Sequence, residues 1–596
     1  MAGLPSQPTP TPVAPGQRGL GVLWSSWTVV VLAIALLVAA PVLVILVGMF
    51  TNSAATWNHL ASTVLVTYVT NSLLLMVGVG LGVLLVGVST AWLVTLCQFP
   101  GRRLFEWALL LPLAAPAYLL AYVYTEWLAF YGPVQTTLRT WFGWETVQDY
   151  WFPNVRSLWG AALMLILTLY PYVYLLARTA FLTQAIGTLE ASRNLGCGPW
   201  RSFFTIALPL ARPAVMAGLS LALMETLNDF GTVQYFGVDT FTTGIYRTWF
   251  GLGERSTAVQ LSAVLLLAVL GLILLERYSR GRAQFYQTAN TIHPLSRFQL
   301  RGLRAIAAVL VCLLPVVLGL LIPGGILLKL ALEPMSSGDP ALGESSDDQG
   351  GDYSGGGFST ALPGEGTPIV GTSEFWTYAS HSLLLALLTA AIAVVLSILL
   401  AYGLRLYPKR LVRLATQISV MGYAVPGSVI AVGILVPLGA FDNAIDQWAQ
   451  ATLGVGTGLL LSGTIAALVY AYLVRFLAVS FSSVEASLSS IKPSLDDAAR
   501  SLGHTPVSTL LRVHTPLMWG GVLTATMLVF VDVMKELPAT LIVRPFNFDT
   551  LAIRVYNLAS DERLQEAAAP ALAIIGVGLI PVLLLSWQVA RSRRSG

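Results

Sequence analysis

Apolar runs of 18 or more residues recur along the whole chain of 596 residues, and each is long enough to cross a bilayer as a helix. Hydrophobic residues make up 56% of the chain and charged residues only 10%, against about 25% charged in an ordinary soluble domain. A backbone in lipid must satisfy its hydrogen bonds internally, which a helix does within one segment. The sequence therefore predicts an all-α polytopic membrane protein and excludes a soluble fold.

The apolar runs predict twelve spans, at about 27–50, 68–96, 105–130, 158–182, 213–235, 257–276, 303–328, 380–404, 412–438, 457–481, 517–540 and 567–589. Lys and Arg concentrate in alternate loops, which the positive-inside rule assigns to the cytoplasm. The flexible loop 333–378 contains eight acidic residues and no Lys or Arg, so it is expected on the periplasmic side. Both termini are then cytoplasmic, and residues 1–22, rich in Pro, Gly, Ser and Thr, are expected to form a disordered cytoplasmic tail.

The chain carries an internal duplication. The segment Asn-Ser-Leu-Leu-Leu at Asn71 is matched by His-Ser-Leu-Leu-Leu at His381, and Pro116 is matched by Pro426, both 310 positions later. Because six spans separate the copies, both halves run in the same direction and form a parallel repeat. We expect two six-helix domains, at 23–300 and 301–596, with a pathway at the seam between them.

Two polar segments interrupt the apolar pattern, 307 positions apart. In each, an acid precedes a glycine by six residues, and the glycine precedes a proline by thirteen (Glu190, Gly196 and Pro209; Asp497, Gly503 and Pro516). Small residues favour a short helix that packs closely, the glycine allows a bend, and a second short helix is expected to end at the proline. One such segment could be an interfacial connector, but two in matched register favour a cytoplasmic elbow that docks on another protein.

The pattern E-A-x-x-x-G with a later hydrophobic-x-L-P resembles the coupling loop, or EAA loop, of ABC-importer permeases. The first copy matches at Glu190, Ala191, Gly196, Leu208 and Pro209. The second matches at Ala498, Ala499, Gly503 and Pro516, and departs from the pattern at Asp497 and Thr515. The resemblance implies the type I ABC-importer permease fold in a bacterial inner membrane. It also implies two copies of a cytoplasmic ABC ATPase subunit and a periplasmic solute-binding protein as partners.

Two further segments, Asn228–Gly251 and Val533–Leu564, resemble the ferric-iron branch of these permeases, which often fuses two permease domains in one chain. The resemblance implies translocation of ferric iron delivered by the binding protein. Permeases for thiamine, sulfate, phosphonate or polyamine share the scaffold and remain alternatives. An ion-coupled secondary transporter is a further alternative, which the paired elbows disfavour because such a carrier docks no ATPase.

No lysine follows a glycine, so the phosphate-binding loop G-x-x-x-x-G-K-[ST] is absent from the sequence. ATP and magnesium are therefore expected on the partner ATPase, with no cofactor on this chain. The three cysteines and five histidines show no metal-ligand spacing. We expect neither catalytic residues nor a tightly bound metal, and partners that include the lipid bilayer but no nucleic acid.

Four acids fall within predicted spans and also match at an offset of 307: Glu225 with Asp532, and Asp229 with Glu536. Each half places its two carboxylates four residues apart, on one helix face. A charge near the bilayer centre costs about 2.5–3.5 kcal/mol on insertion scales, so such residues usually face a bundle interior or a wet cavity. Lining of the translocation pathway is the favoured interpretation, and satisfaction by local partners such as Lys535 is the alternative. The many tyrosines are expected mainly as interfacial anchors.

The charge distribution predicts the topology of two loops. Cysteines introduced at Ser337 and Ser296 can be probed with an impermeant thiol reagent on intact spheroplasts. The first should react and the second should not, because the positive-inside rule places them on opposite sides. Labelling at position 296 alone would contradict this topology.

Overall fold

The computed structural model describes residues 26–50, 54–183, 198–280, 297–333 and 373–592. Within these ranges, ten helices are long and apolar enough to cross a membrane, or up to twelve if each of two bent helix pairs is one span. Residues 1–22, Glu190, Ala191, Gly196 and most of the 333–378 loop lie outside the described residues.

The described residues of the first half contain one short strand, β1 (Cys97–Gln98), and otherwise helices joined by turns and loops. Its helices are α1 (Ser26–Gly48), α2 (Ala54–Thr63), α3 (Leu65–Leu96), α4 (Arg102–Ala108), α5 (Ala117–Leu128), α6 (Pro133–Phe142), α7 (Leu158–Thr183), α8 (Pro199–Ser202), α9 (Leu208–Asn228), α10 (Gly231–Tyr235), α11 (Phe241–Tyr246) and α12 (Arg255–Arg280). A 3₁₀ turn at Leu111–Ala114 precedes α5, and a π-helical turn at Phe203–Ala207 precedes α9.

The second half is preceded by β2 (Phe298–Gln299), which pairs in parallel with β1. Its helices are α13 (Leu303–Val316), α14 (Ile322–Leu332), α15 (Ser373–Leu406), α16 (Arg410–Ser419), α17 (Gly427–Leu453), α18 (Ile465–Ser489), α19 (Ser494–Ser501), α20 (Pro506–Thr509), α21 (Thr515–Leu517), α22 (Trp519–Met534), α23 (Pro538–Val543), α24 (Leu551–Ser560) and α25 (Leu564–Ser592). A π-helical turn at Val317–Leu321 joins α13 to α14.

The helices in the predicted spans 105–130 and 412–438 are not continuous, because each is broken ahead of a proline. The residues before Pro116 and Pro426 have extended backbones, since the proline ring disfavours a helical residue in front of it. In the first half the helical segments on either side of the break are bent by 89°. New helices, α5 and α17, begin directly after the prolines, so both breaks lie at matched positions of the repeat.

Three other spans fall short of the prediction at one end. The expected spans 213–235 and 517–540 stop at Asn228 and Met534, and the short helices α10 and α23 follow. The expected span 457–481 begins only at Ile465, because the preceding segment contains Gly454 and Gly458 with left-handed backbones. In each case the apolar sequence extends beyond the end of the helix, so composition alone predicted a longer span.

Matched contacts show that the two halves share one architecture. The side-chain amide of Asn71 donates to the carbonyl of Asp239 at 2.9 Å. At the corresponding place in the second half, Nδ1 of His381 lies 3.0 Å from the carbonyl of Asp549. Each contact joins the start of a long span, α3 or α15, to the segment before α11 or α24. The parallel repeat is therefore present in the tertiary structure as well as in the sequence.

The first span of each half packs against the other half. The hydroxyl of Tyr470 on α18 donates to the carbonyl of Leu37 on α1 at 2.6 Å. In the same way, the hydroxyl of Tyr124 on α5 donates to the carbonyl of Leu318, between α13 and α14, at 2.6 Å. The packing of each first span against the opposite half therefore joins the two halves on both sides of the seam.

The expectation that tyrosines serve mainly as interfacial anchors is wrong for a large group of them. Side chains that pack inside the bundle, with at most 5% of their surface exposed, are Tyr68, Tyr118, Tyr122, Tyr124, Tyr170, Tyr174, Tyr402 and Tyr472. Their rings fill space between spans, and several hydroxyls bond to backbone carbonyls or neighbouring side chains. Sequence position alone could not distinguish this packing from an interfacial belt.

Two glycines on α17 provide a test of the exchanged packing. A Cβ at Gly433 would lie 2.5 Å from the carbonyl oxygen of Pro41 on α1, whereas nothing lies within 4 Å of a Cβ at Gly439. Gly433→Ala should lower stability by about 1–3 kcal/mol through overpacking, and Gly439→Ala should raise it by up to about 1 kcal/mol. Melting temperatures in detergent measure both, and equal shifts in the two variants would contradict the close approach of α1.

Candidate functional site

The structure brings all four predicted acids to one cavity at the seam between the halves. The cavity has a volume of about 120 Å³, and it lies where the ends of α9 and α22 meet α7, α18 and the breaks before α5 and α17. Its charged lining consists of Glu225, Asp229, Arg475, Asp532, Lys535 and Glu536. The two faces that the 307-residue offset predicted to be equivalent therefore face each other across the seam.

Asp229 and Glu536 hold the short helices that follow the broken spans. The Asp229 carboxylate accepts hydrogen bonds from the Thr232 hydroxyl at 2.9 Å and the Val233 amide at 3.1 Å. The Glu536 carboxylate accepts bonds from the amides of Ala539 and Thr540, both at 3.0 Å. A carboxylate in this position satisfies amide groups that have no partner within the helix. These two acids thus have the local structural role that was the alternative interpretation, and they also line the cavity.

Glu225 and Asp532 lie one helical turn earlier, and their side chains are 21% and 18% exposed. Asp532 pairs with the Lys535 ammonium at 3.0 Å. Glu225 has only longer contacts, with an Arg475 guanidinium nitrogen at 3.6 Å and the Asn228 amide at 3.4 Å. The two acids are equivalent in the repeat but differ in how completely they are neutralised.

Arg475 is the central residue that the sequence reasoning did not select. It lies ten residues after the start of α18 and fourteen before its end, so it is ~15 Å and ~21 Å from the two ends of the span. Its Nη1 lies 3.1 Å from Glu536 Oε1 and 3.1 Å from Asn228 Oδ1. The sequence could have pointed to Arg475, because it is the single charged residue in the predicted span 457–481.

Arg475 and Asn228 join the halves directly. The Asn228 side-chain oxygen accepts from the Gly427 amide at 2.7 Å as well as from Arg475. A Cβ at Gly427 would lie 2.7 Å from Arg475 Nη1 and 2.9 Å from Glu536 Oε1, so only glycine leaves room for this arrangement. A buried charge of this kind requires paired and hydrogen-bonded neighbours, and here those neighbours come from both domains.

Two tyrosines meet across the seam at the edge of the cavity. The hydroxyls of Tyr172 on α7 and Tyr423, in the break before α17, are 3.4 Å apart. Tyr172 lies one turn further along α7 than Thr168, which also lines the cavity. Within the described ranges, no group of three or more His, Cys, Asp or Glu side chains is arranged to hold a metal ion. Oxygen donors in the cavity therefore come from a mixture of carboxylates and phenols.

The second polar segment forms the predicted elbow. Helix α19 ends in a Schellman motif, in which the Gly503 amide bonds to the Arg500 carbonyl and the His504 amide bonds to the Ala499 carbonyl. Gly503 has φ of +80°, a left-handed conformation that favours glycine. Asp497, Ala498 and Pro516 are exposed, whereas Ala499 is buried against the bundle. The chain then bends by 78° between Leu517 and Trp519, before α22.

Asp496 attaches this elbow to the bundle. Its carboxylate accepts two bonds from the Arg405 guanidinium, at 2.7 and 2.9 Å, and lies 2.6 Å from His514 Nε2. Burial raises the pKa of Asp496, but the bonds from Arg405 and His514 outweigh this effect and hold the pKa below its usual range. The carboxylate is thus kept ionised between the end of α15 and the turn that precedes α21.

The first polar segment is described only from residue 198 onward, so Glu190, Ala191 and Gly196 lie outside the described residues. The prediction that a short helix ends at Leu208-Pro209 is wrong, because helical backbone continues from Pro199 to Asn228. Pro209 lies within this helical stretch, two residues after the π-helical turn Phe203–Ala207. The two copies therefore enter their fifth spans differently.

Comparison with known proteins agrees with this architecture. The family described as "Binding-protein-dependent transport system inner membrane component" matches twice, at residues 83–280 and 393–594. The Fe(3+)-transport system permease protein FbpB 2 of Haemophilus influenzae is 25% identical over 533 residues, covering 86% of this chain and 88% of the relative. The molybdenum transport system permease protein ModB of Escherichia coli is 31% identical over 207 residues, covering 33% of this chain and 87% of the relative. The putative 2-aminoethylphosphonate permease PhnU of Salmonella choleraesuis is 28% identical over 207 residues, covering 34% of this chain and 70% of that protein.

A polytopic, duplicated bundle with a polar cavity at its seam defines a membrane transport subunit. The chain belongs to the family of binding-protein-dependent inner-membrane transport components, and it carries two permease domains fused in one multi-pass polypeptide.

The ion pair across the seam predicts a stability effect. Arg475→Met leaves the buried Glu536 without its charged partner and should lower the free energy of unfolding by about 3–5 kcal/mol. Combining it with Glu536→Gln should recover part of this loss, because the uncompensated charge is then absent. Thermal melting in detergent measures the single and double variants. Wild-type melting of Arg475→Met would contradict the structural importance of the pair.

Proposed function

We propose that this chain is the permease subunit of an ATP-driven importer that translocates ferric iron delivered by a periplasmic binding protein. The excess of acid in the seam cavity carries the proposal. Four carboxylates and two basic groups line it, so it has a formal excess of two negative charges. Ferric iron is a hard, highly charged cation that prefers oxygen ligands. The likeness to an iron permease over 86% of the chain supports the same cargo.

Two copies of a cytoplasmic ABC ATPase subunit are the partners that the paired elbows suit. On the second elbow, the apolar side chains of Leu502, Val507 and Leu511 are more than half exposed, as is Asp497. In this proposal the elbows and both termini are cytoplasmic, the 333–378 loop is periplasmic, and ATP with magnesium is bound by the ATPase. Glu190, Ala191, Gly196, Leu208 and Pro209 form the first docking loop, and Asp497, Ala498, Ala499, Gly503 and Pro516 form the second.

An oxyanion is the second candidate cargo. Arg475 and Lys535 are basic groups within the cavity, and the molybdenum and phosphonate permeases are similar to this chain over about a third of its length. Both basic groups are already paired with carboxylates, however, at 3.1 and 3.0 Å. The charge that is left for a solute is negative, which favours a cation.

Uptake by the reconstituted complex tests the cargo. The chain is purified in mild detergent with whatever ATP-hydrolysing subunit co-purifies, placed in proteoliposomes with the binding protein, and supplied with radioactive iron, molybdate or phosphonate in parallel. ATP-dependent uptake of iron alone is the expected result. Uptake of molybdate or phosphonate without iron would remove the ferric proposal and keep the permease assignment.

The left-handed turn at Gly503 tests the docking role. Proline cannot adopt φ of +80°, so Gly503→Pro should distort the elbow and reduce both uptake and stimulated ATP hydrolysis to near background, while membrane yield persists. Gly454→Pro is a matched control, because it strains a turn with φ of +67° at the far end of α17. Normal uptake by a well-expressed Gly503→Pro variant would contradict the docking role.

A further inference from the structure

The charge in the seam cavity is distributed unequally between the two halves. In the second half each acid has a basic partner, since Asp532 pairs with Lys535 at 3.0 Å and Glu536 with Arg475 at 3.1 Å. In the first half Asp229 is held by hydrogen bonds of a helix cap. The shortest contacts of Glu225 with a charged or amide group are 3.6 and 3.4 Å. Glu225 is therefore the carboxylate in the cavity with the longest contacts to its partners.

The repeat explains why the halves differ. At the offset of 307, the first-half counterpart of Arg475 is Thr168, and that of Lys535 is Asn228. Both counterparts line the cavity and neither carries a charge. Both basic groups thus come from the second half, and the negative excess of the cavity belongs to the first half.

Phenol oxygens accompany Glu225. Tyr172 and Tyr423 approach to 3.4 Å between their hydroxyls, and both line the cavity together with Glu225. A third phenol, Tyr118, is 5% exposed and also lines the cavity, yet its hydroxyl has no hydrogen-bond partner among the described residues. A buried polar group without a partner is costly, so an unsatisfied hydroxyl at a cavity wall indicates a place where a ligand or its water can bind.

We propose that Glu225, Tyr172 and Tyr423 form a transient contact site for a trivalent hard cation, and that this first-half site, rather than the symmetric set of four acids, determines cation selectivity. The inference rests on the proposed ferric function and deepens it. One carboxylate and two phenols are hard oxygen donors suited to ferric iron. They come from both halves, since Tyr423 belongs to the second, so separation of the halves would disperse the donors and release the cation.

The pairing of Arg475 and Lys535 has a defined part in this arrangement. By neutralising the second-half acids, these bases prevent four carboxylates from acting together on one cation, which would bind it too tightly for a conduit. The cation then meets Glu225, the carboxylate that is held by the longest contacts, and the phenols beside it. The unequal charge pairing in the two halves thus favours weak, reversible binding of the cation over tight binding.

Iron uptake by matched variants tests the site in the reconstituted full complex. Glu225→Gln should reduce uptake about ten-fold or more. A ten-fold change corresponds to ~1.4 kcal/mol of binding free energy, and the loss of a charge contact in a desolvated site costs more than that. The double variant Asp532→Asn with Lys535→Met removes the equivalent acid together with its base and leaves the net charge unchanged. It should show a distinctly smaller loss than Glu225→Gln. Stimulated ATP hydrolysis and melting temperature verify that each variant is assembled.

A spectroscopic measurement tests the phenols independently of transport. Ferric nitrilotriacetate is titrated into the purified full chain. A phenol that releases its proton to the buffer and binds the ferric ion forms a ferric–phenolate contact, which absorbs visible light. The band should appear in the wild type and disappear in Tyr172→Phe with Tyr423→Phe, which keeps both rings. Its absence from the wild type, or its persistence in the double variant, would overturn the phenol contact.

The outcomes separate this inference from the proposed function. If the wild-type complex takes up no iron, the ferric function itself fails. In a second outcome, the wild type takes up iron while uptake by Glu225→Gln stays within about two-fold of it, a ratio that corresponds to ~0.4 kcal/mol. In that case the ferric function stands and the first-half site is overturned. An equal loss in Glu225→Gln and in the Asp532 and Lys535 double variant would also overturn the asymmetry.

Discussion

A guanidinium near the middle of a membrane span has to be paired, and the seam of this protein is organised around that requirement. Arg475 lies close to the centre of α18 and is almost completely buried. Its partners come from both domains, since Asn228 and Glu225 lie on α9 and Glu536 lies between α22 and α23. Because an unpaired charge at this depth would be costly, the pairing holds the two halves in register and leaves a cavity beside it.

The helix breaks on either side of the seam make this pairing possible. Pro116 and Pro426 end the helical segments before them, so α5 and α17 begin at the depth of the cavity. The fifth spans end at the same depth, and Asp229 and Glu536 cap the short helices that follow. Backbone that leaves the helix within a membrane is tolerated where it is buried in protein or lines a cavity, which is where all four breaks lie.

The duplication gives the two halves the same backbone arrangement, but their side chains at equivalent positions differ in charge. Paired positions hold Thr168 and Arg475, Asn228 and Lys535, so the backbone repeats while the charge does not. The elbows differ as well, since the Asp496 carboxylate anchors the second through Arg405 and His514, whereas the sequence has Leu189 at the first-half position. A fused chain can carry such differences because each domain has its own sequence.

The sequence by itself determined the membrane class, the parallel repeat and the identity of the four acids. These follow from apolar run length, from a fixed offset and from the rarity of charge in lipid-facing helices, all of which are local or periodic properties. Only the tertiary structure decided that the acids share one cavity, that Arg475 links them, and that Tyr172 meets Tyr423. Those facts depend on which faces of distant helices turn toward each other, a choice set by packing across 200 or more positions. The same reason explains the wrong span ends. Apolar composition continues through a helix break, whereas the capping side chains and the packing partners that stabilise the break are brought there only by the tertiary structure.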